Sequence, residues 1–113
     1  MTHLYIDDLR SPPSRKWAVA RSYDAVIWHI ENVGLPLYLS FDHDLGDDVP
    51  SGYDIAKMLI DYDLDGKIDL SKVIQVNVHS ANPVGAENIR EVFSSYFRFR
   101  ESEGTMAVKP LIT

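Results

Sequence analysis

Four short apolar runs in this chain each end on residues that can do acid–base, metal or phosphate chemistry. HLYI (3–6) runs into Asp7 and Asp8, LYLSF (37–41) into Asp42, His43 and Asp44, VIQVNV (73–78) into His79 and Ser80, and MAV (106–108) into Lys109. Carboxylates crowded into one place repel each other and are tolerated where a divalent cation neutralises them. The chain has no cysteine, so its donors are carboxylate, imidazole or carbonyl groups, and a hard ion, magnesium or manganese, is expected on Asp7, Asp8 and Asp42 or Asp44. Such an ion commonly also takes substrate phosphate oxygens. Ser80 and Lys109 are then expected on the remaining phosphate oxygens, with Arg10 as a clamp and the helix start at Asn82 adding oriented backbone donors.

These groups converge only if the runs that carry them lie side by side and point the same way. WAVA (17–20) reads as a further strand after the loop LRSPPSRK (9–16), where Pro12 and Pro13 forbid a helix. Ser22 caps a predicted helix with apolar positions at Ala25, Val26, Ile27, Ile30 and Val33, stopped by Gly34 and Pro36. Ser51 caps a second, with Ile55, Ala56, Met58, Leu59 and Tyr62 on one face, and Asn82 followed by Pro83 opens a third, with the stripe Ile89, Val92, Phe93, Tyr96 and Phe97. Strands alternating with helices predict an α/β fold, a parallel sheet flanked by helices in one domain over 1–113, with its crevice at the carboxyl ends of the strands.

Composition narrows the function further. The 113 residues are 45% hydrophobic and 25% charged with a net charge of -6, which fits a globular domain able to bury a core unaided. The stretch from Asp42 to Asp69 carries -7 and the rest +1, so the acidity is local. An acidic face disfavours broad binding to a nucleic-acid backbone while leaving one phosphate group accessible through a metal ion. No apolar run approaches a membrane span and no leader pattern opens the chain, so a cytoplasmic location without membrane attachment is expected. Asp47 and Asp48 read as a solvated loop before Pro50. DYDLDGKIDLSK (61–72) follows a calcium-loop spacing through Asp61, Asp63, Asp65, Gly66 and Asp69, but Lys72 stands where a bidentate glutamate is needed, so a helix-to-strand turn is expected instead.

The acid pair after the first strand, the acid after the third, Ser80 after the fourth and Lys109-Pro110 resemble a receiver-type domain, the phospho-accepting module of bacterial two-component signalling. Receivers carry a glycine eight positions beyond the acceptor aspartate, and Gly52 stands in that relation to Asp44, although Asp42 lies closer to the apolar run. With LYIDDLR, SFDHDLGDD, SGYDIAK and HSANPVG together, the chain is more similar to the divergent cyclic-phosphate-processing receiver-like family, over Leu4 to about Phe97. That resemblance implies a flavodoxin-like sheet of order 2-1-3-4-5 with helices on both faces, the first and last receiver helices being reduced or missing. It also implies a metal-dependent phosphoesterase for a cyclic phosphate on a nucleotide or RNA end. Opening such a ring needs an activated water, charge stabilisation and a proton for the leaving oxygen. His79 is the first expectation for proton transfer and His43 the second, with Asp42 a further catalytic carboxylate. The DHD triplet also resembles the first motif of haloacid-dehalogenase-type phosphatases, an option in which Asp42 attacks phosphorus and Asp44 donates the proton. The competing readings are a phospho-accepting signalling receiver, and a non-catalytic relative that binds a nucleotide or a protein.

Overall fold

Three short polar side chains start the three helices. The Ser22 hydroxyl accepts from the Ala25 N–H and opens α1 (Tyr23–Asn32). Ser51 accepts from the Asp54 N–H while Asp54 accepts from the Ser51 N–H, a reciprocal box that opens α2 (Gly52–Leu64). Asn82 accepts from the Gly85 N–H directly before Pro83 and opens α3 (Pro83–Ser102). All three caps stand where the sequence places them.

The computed structural model describes residues Thr2–Thr113. The strands β1 (His3–Ile6), β2 (Trp17–Ala20), β3 (Tyr38–Phe41), β4 (Gln75–Val78) and β5 (Leu111–Ile112) form one all-parallel sheet in the order β2-β1-β3-β4-β5. Ile6 pairs with both Ala20 and Phe41, and Phe41 pairs with Val78. That register brings Asp7, Asp42 and His79 to the same edge of the sheet.

The strands alternate strictly between two faces. Leu4, Ile6, Ala20, Leu39, Phe41, Val76 and Val78 are buried against Val26 of α1, Ile55 and Leu59 of α2, and Ile89, Phe93 and Phe97 of α3. Phe41 meets Phe93 edge to face at 5.5 Å. Burying one such ring contributes about 2 kcal/mol relative to leaving it in water. The opposite face carries His3, Tyr5, Trp17, Tyr38, Ser40, Gln75 and Asn77. Helices were expected on both faces, but among the described residues they cover only one. Right-handed crossovers explain this. The connections from β2 to β3, β3 to β4 and β4 to β5 all advance the same way across the sheet, so their helices share a side. The connection from β1 to β2 runs the other way, and the proline-containing loop that makes it has no helix to place on the second face.

The fifth strand also lies elsewhere than the apolar run MAV suggested. Met106 is buried in the core and Val108 is exposed, while the sheet hydrogen bonds are made later, from Leu111 N–H to the Ile74 carbonyl and from Thr113 N–H to the Val76 carbonyl. The calcium-like segment is a turn, as expected, and a cation does close it. The Arg100 guanidinium on α3 lies 3.0 Å from both Asp63 and Asp69, Tyr96 donates to Asp63, and the Leu70 N–H donates to Asp63 at 2.7 Å. Arg100 therefore stands in the place of a metal ion and ties the end of α2 to the end of α3.

Candidate functional site

At the carboxyl edge of the sheet, Asp7 directly follows β1 and Asp42 directly follows β3, and both are buried, at 0% and 6% exposure. One carboxylate oxygen each from Asp7, Asp8 and Asp42 lies within 4.8 Å of the others. Asp7 is held from several sides. Its Oδ1 accepts from the backbone N–H groups of Leu9 and Arg10, each at 2.9 Å, and its Oδ2 accepts from His79 Nε2 at 3.0 Å. Burial pushes the Asp7 carboxyl upward, but the two backbone donors and the imidazole outweigh it and hold the group below the ordinary carboxylate range. The turn that supplies those donors is itself pinned, because Arg21 Nη1 donates to the carbonyls of Asp7 at 3.1 Å and Arg10 at 2.7 Å. Arg10 donates to the His79 carbonyl at 3.0 Å, and its Nε stands 3.7 Å from Asp7 Oδ2.

A cleft of about 430 Å³ opens over the cluster, walled by Asp7, Asp8, Arg10, Asp42, Asp44 and Ala81 among others. Asp44 reaches it from the rim and does not join the three-acid cluster. Its carboxylate accepts from His43 Nδ1 at 2.9 Å and from Asn82 Nδ2 at 3.3 Å, and the His43 hydrogen bond holds it below the usual carboxylate range. The third member of the cluster is thus Asp42, where the spacing to Gly52 had pointed to Asp44. Asp42 directly follows β3, and its N–H donates at 2.8 Å to the carbonyl of Ile6, the residue before Asp7. Gly52 packs on Asp42 itself, where an added Cβ would lie 2.0 Å from the Asp42 carbonyl oxygen, and the loop between them is two residues longer than the receiver spacing assumes. Gly85 plays the matching part for His43, whose imidazole would sit 2.3 Å from a Cβ there.

Of the other expected site residues, Ser80 accepts from the Asn82 N–H at 3.1 Å, and Asn82 both caps α3 and holds Asp44. His79 sits beside Asp7 with both ring nitrogens engaged, Nε2 on Asp7 and Nδ1 on Ser40 Oγ at 2.7 Å. Lys109 is not in the site. It precedes β5, at the opposite end of the sheet, and pairs with Glu101 at 3.3 Å. That displacement follows from the later position of the fifth strand. Sequence reasoning missed Ser40, Asn77 and Tyr5. The signal available for two of them was a small polar residue inside an otherwise apolar strand, Ser40 in LYLSF and Asn77 in VIQVNV, where a buried polar group needs a partner.

A family model described as cyclic-phosphate processing receiver domain matches residues 2–95. The chain belongs to the cyclic-phosphate processing receiver domain family. No curated protein and no solved structure matches it. In this receiver domain the matched span contains the three clustered acids, Arg10, both histidines of the site and the start of α3, and it ends before Lys109. The family description names the processing of cyclic phosphates. Among the described residues no helix is long and apolar enough to cross a membrane.

Proposed function

We propose that this receiver-like domain is a divalent-cation-dependent phosphoesterase that opens a cyclic phosphate on a nucleotide or an RNA end. The observation that carries the reading is the convergence of Asp7, Asp8 and Asp42 within 4.8 Å beside Arg10, in a cleft wide enough for a phosphate group. An all-oxygen donor set of three carboxylates fits magnesium or manganese. Such an ion, when bound, supplies charge stabilisation at the phosphoryl oxygens and acidifies a bound water. Asp7, Asp8 and Asp42 would hold it, and the Arg10 guanidinium on the cleft wall would take a phosphoryl oxygen. In the reaction the water oxygen bonds to phosphorus, one ring P–O bond breaks and the leaving oxygen takes a proton, giving a phosphomonoester. Asp42 would orient the water, and Asp44, which lines the cleft and is hydrogen-bonded to His43 Nδ1 at 2.9 Å, would pass the leaving-group proton with that imidazole behind it. His79 is the weaker candidate for that role, because both its nitrogens are already committed.

The test is hydrolysis of nucleoside cyclic monophosphates and of an RNA with a terminal cyclic phosphate by purified protein with magnesium or manganese. Release of monoester is expected, abolished by chelation and by Asp42→Asn. Turnover that survives Asp42→Asn would overturn the site. The signalling reading draws on the position of Asp42, which ends β3 next to an acid pair, and is disfavoured by the distance of Lys109 from that edge. Stable phosphorylation of Asp42 by acetyl phosphate, with no hydrolysis of any cyclic phosphate, would replace the esterase reading with it.

A further inference from the structure

The open face of the sheet carries a line of side chains that ends on the acid cluster. Asn77 Nδ2 lies 3.0 Å from Ser40 Oγ, Ser40 Oγ 2.7 Å from His79 Nδ1, and His79 Nε2 3.0 Å from Asp7 Oδ2. Behind Asn77, the Thr113 hydroxyl donates to Asn77 Oδ1 at 2.7 Å and itself accepts from Gln75 Nε2 at 3.0 Å. The direction of this line is dictated from the acid end. Asp7 Oδ1 already accepts from the Leu9 and Arg10 N–H groups, and a carboxylate Oδ2 at 3.0 Å can only accept from the ring, so Nε2 carries a hydrogen. In a neutral imidazole Nδ1 is then bare and accepts, so the Ser40 hydroxyl must donate to it. Its lone pair is left facing Asn77, which must present its amide N–H. Every link from Gln75 to Asp7 thus donates in one direction.

Packing keeps the ring in this line. Tyr5 lies flat on the His79 imidazole, with centroids 4.3 Å apart and planes within 5°, and Ser40 is 3% exposed. A buried hydroxyl this far from solvent is out of reach as a nucleophile. We infer that Ser40 and Asn77 are positioning residues that lock His79 as an Nε2–H donor to Asp7 and thereby set the orientation of the Asp7 carboxylate in the cluster. The inference rests on the proposed cation site for its effect on binding, but the state of the ring stands apart from that reading. Partners of this outer kind commonly govern 10–100-fold of metal affinity.

The decisive measurement is the nitrogen-15 spectrum of the His79 ring in the full chain, with Mn2+ affinity measured separately by titration of the same preparations. Wild type should show a pyrrole-type Nε2 and a hydrogen-bonded pyridine-type Nδ1. In Ser40→Ala the Nδ1 resonance should move to the position of a nitrogen without a donor, and Mn2+ affinity should fall about 10–100-fold while circular dichroism stays native. Asn77→Asp replaces the amide donor by an acceptor of the same shape, so the Ser40 hydrogen should turn away from the ring and the Nδ1 resonance should move to the same donor-free position as in Ser40→Ala. A proton on Nδ1 of a neutral wild-type ring, or an unchanged ring spectrum and unchanged Mn2+ affinity in both variants, would overturn the inference. A wild type that binds no Mn2+ would refute the proposed cation site, and the ring spectra would still decide whether Ser40 and Asn77 lock His79.

Discussion

Asp8 is the most accessible of the three clustered acids, and its charge opposes two others at close range. At that separation each like-charge pair costs about 1 kcal/mol with full water screening and up to about 4 kcal/mol at the lower dielectric near a protein surface. Asp8→Asn should therefore stabilise the cation-free protein by about 1 kcal/mol at low salt, seen as a higher melting temperature. The same variant should lose most of the further stabilisation that manganese confers on wild type, which is about 2.7 kcal/mol at a hundredfold excess over Kd. A melting temperature that responds to manganese equally in both proteins would count against Asp8 as a ligand. Gly52 exerts its effect through backbone contact. Gly52→Ala puts a Cβ 2.0 Å from the Asp42 carbonyl oxygen, which must move. A loss of about 1–3 kcal/mol is expected in denaturant unfolding, together with a weakened manganese response because Asp42 shifts with its carbonyl.

Elements are held to one another mostly through the apolar face of the sheet, but the far ends of α2 and α3 are joined by charge. Arg100 is 14% exposed and its partner Asp63 only 7%, so removing the guanidinium strands a nearly buried carboxylate. Arg100→Ala should cost about 3 kcal/mol in urea unfolding. Asp69, held to about 2 by the Ser71 hydroxyl and the Arg100 guanidinium, should titrate closer to an ordinary carboxylate in that variant by carbon-detected NMR. If Arg100→Ala instead proves neutral, solvent must already reach Asp63. This network is remote from the proposed chemistry, so catalysis per folded molecule should be unaffected.

For the whole molecule the same shifts predict how stability follows pH. Asp7, Asp44, Asp54 and Asp69 all have carboxyls held below their ordinary values in the fold. Groups shifted this way contribute stability above the unfolded pKa of about 4, and that contribution is lost as pH falls through the folded values, near 2 for Asp69. A second loss begins higher. His29 on α1 is 6% exposed, its Nε2 has no partner among the described residues, and burial lowers its pKa. The unfolded chain binds a proton there below about pH 6.5 and the fold resists it, so stability is complete above that value and declines as pH falls below it. Urea unfolding from pH 8 to 5 should show this decline in wild type and a flatter profile in His29→Leu. Parallel profiles would show that another group causes the loss.

The first four strands, the three caps and the apolar stripes were legible in the chain because each depends on neighbours within a few residues: a period of two or 3.6, a hydroxyl before a helix, a proline at its start. The acid pair was legible for the same reason, since strands that stop on charged residues declare their ends locally. Parallel order, implied by the family resemblance, then put Asp7, Asp42 and His79 at one edge. What local pattern could not supply was everything settled by contact across the sheet. Whether Asp42 or Asp44 joined the cluster depended on which of them the pairing of β1 with β3 sets beside Asp7. Whether Lys109 reached the site depended on which residues after Gly104 found hydrogen bonds along β4. Whether His79 was a free base or a held donor depended on Ser40 and Asn77, residues 39 and 2 positions away in the chain that meet it only because β3 and β4 pair in register. Sequence alone determined which groups stand at the ends of the first four strands, because that is written in local periodicity. Tertiary structure alone decided which of them touch, because an imidazole or a carboxylate takes its role from its partners.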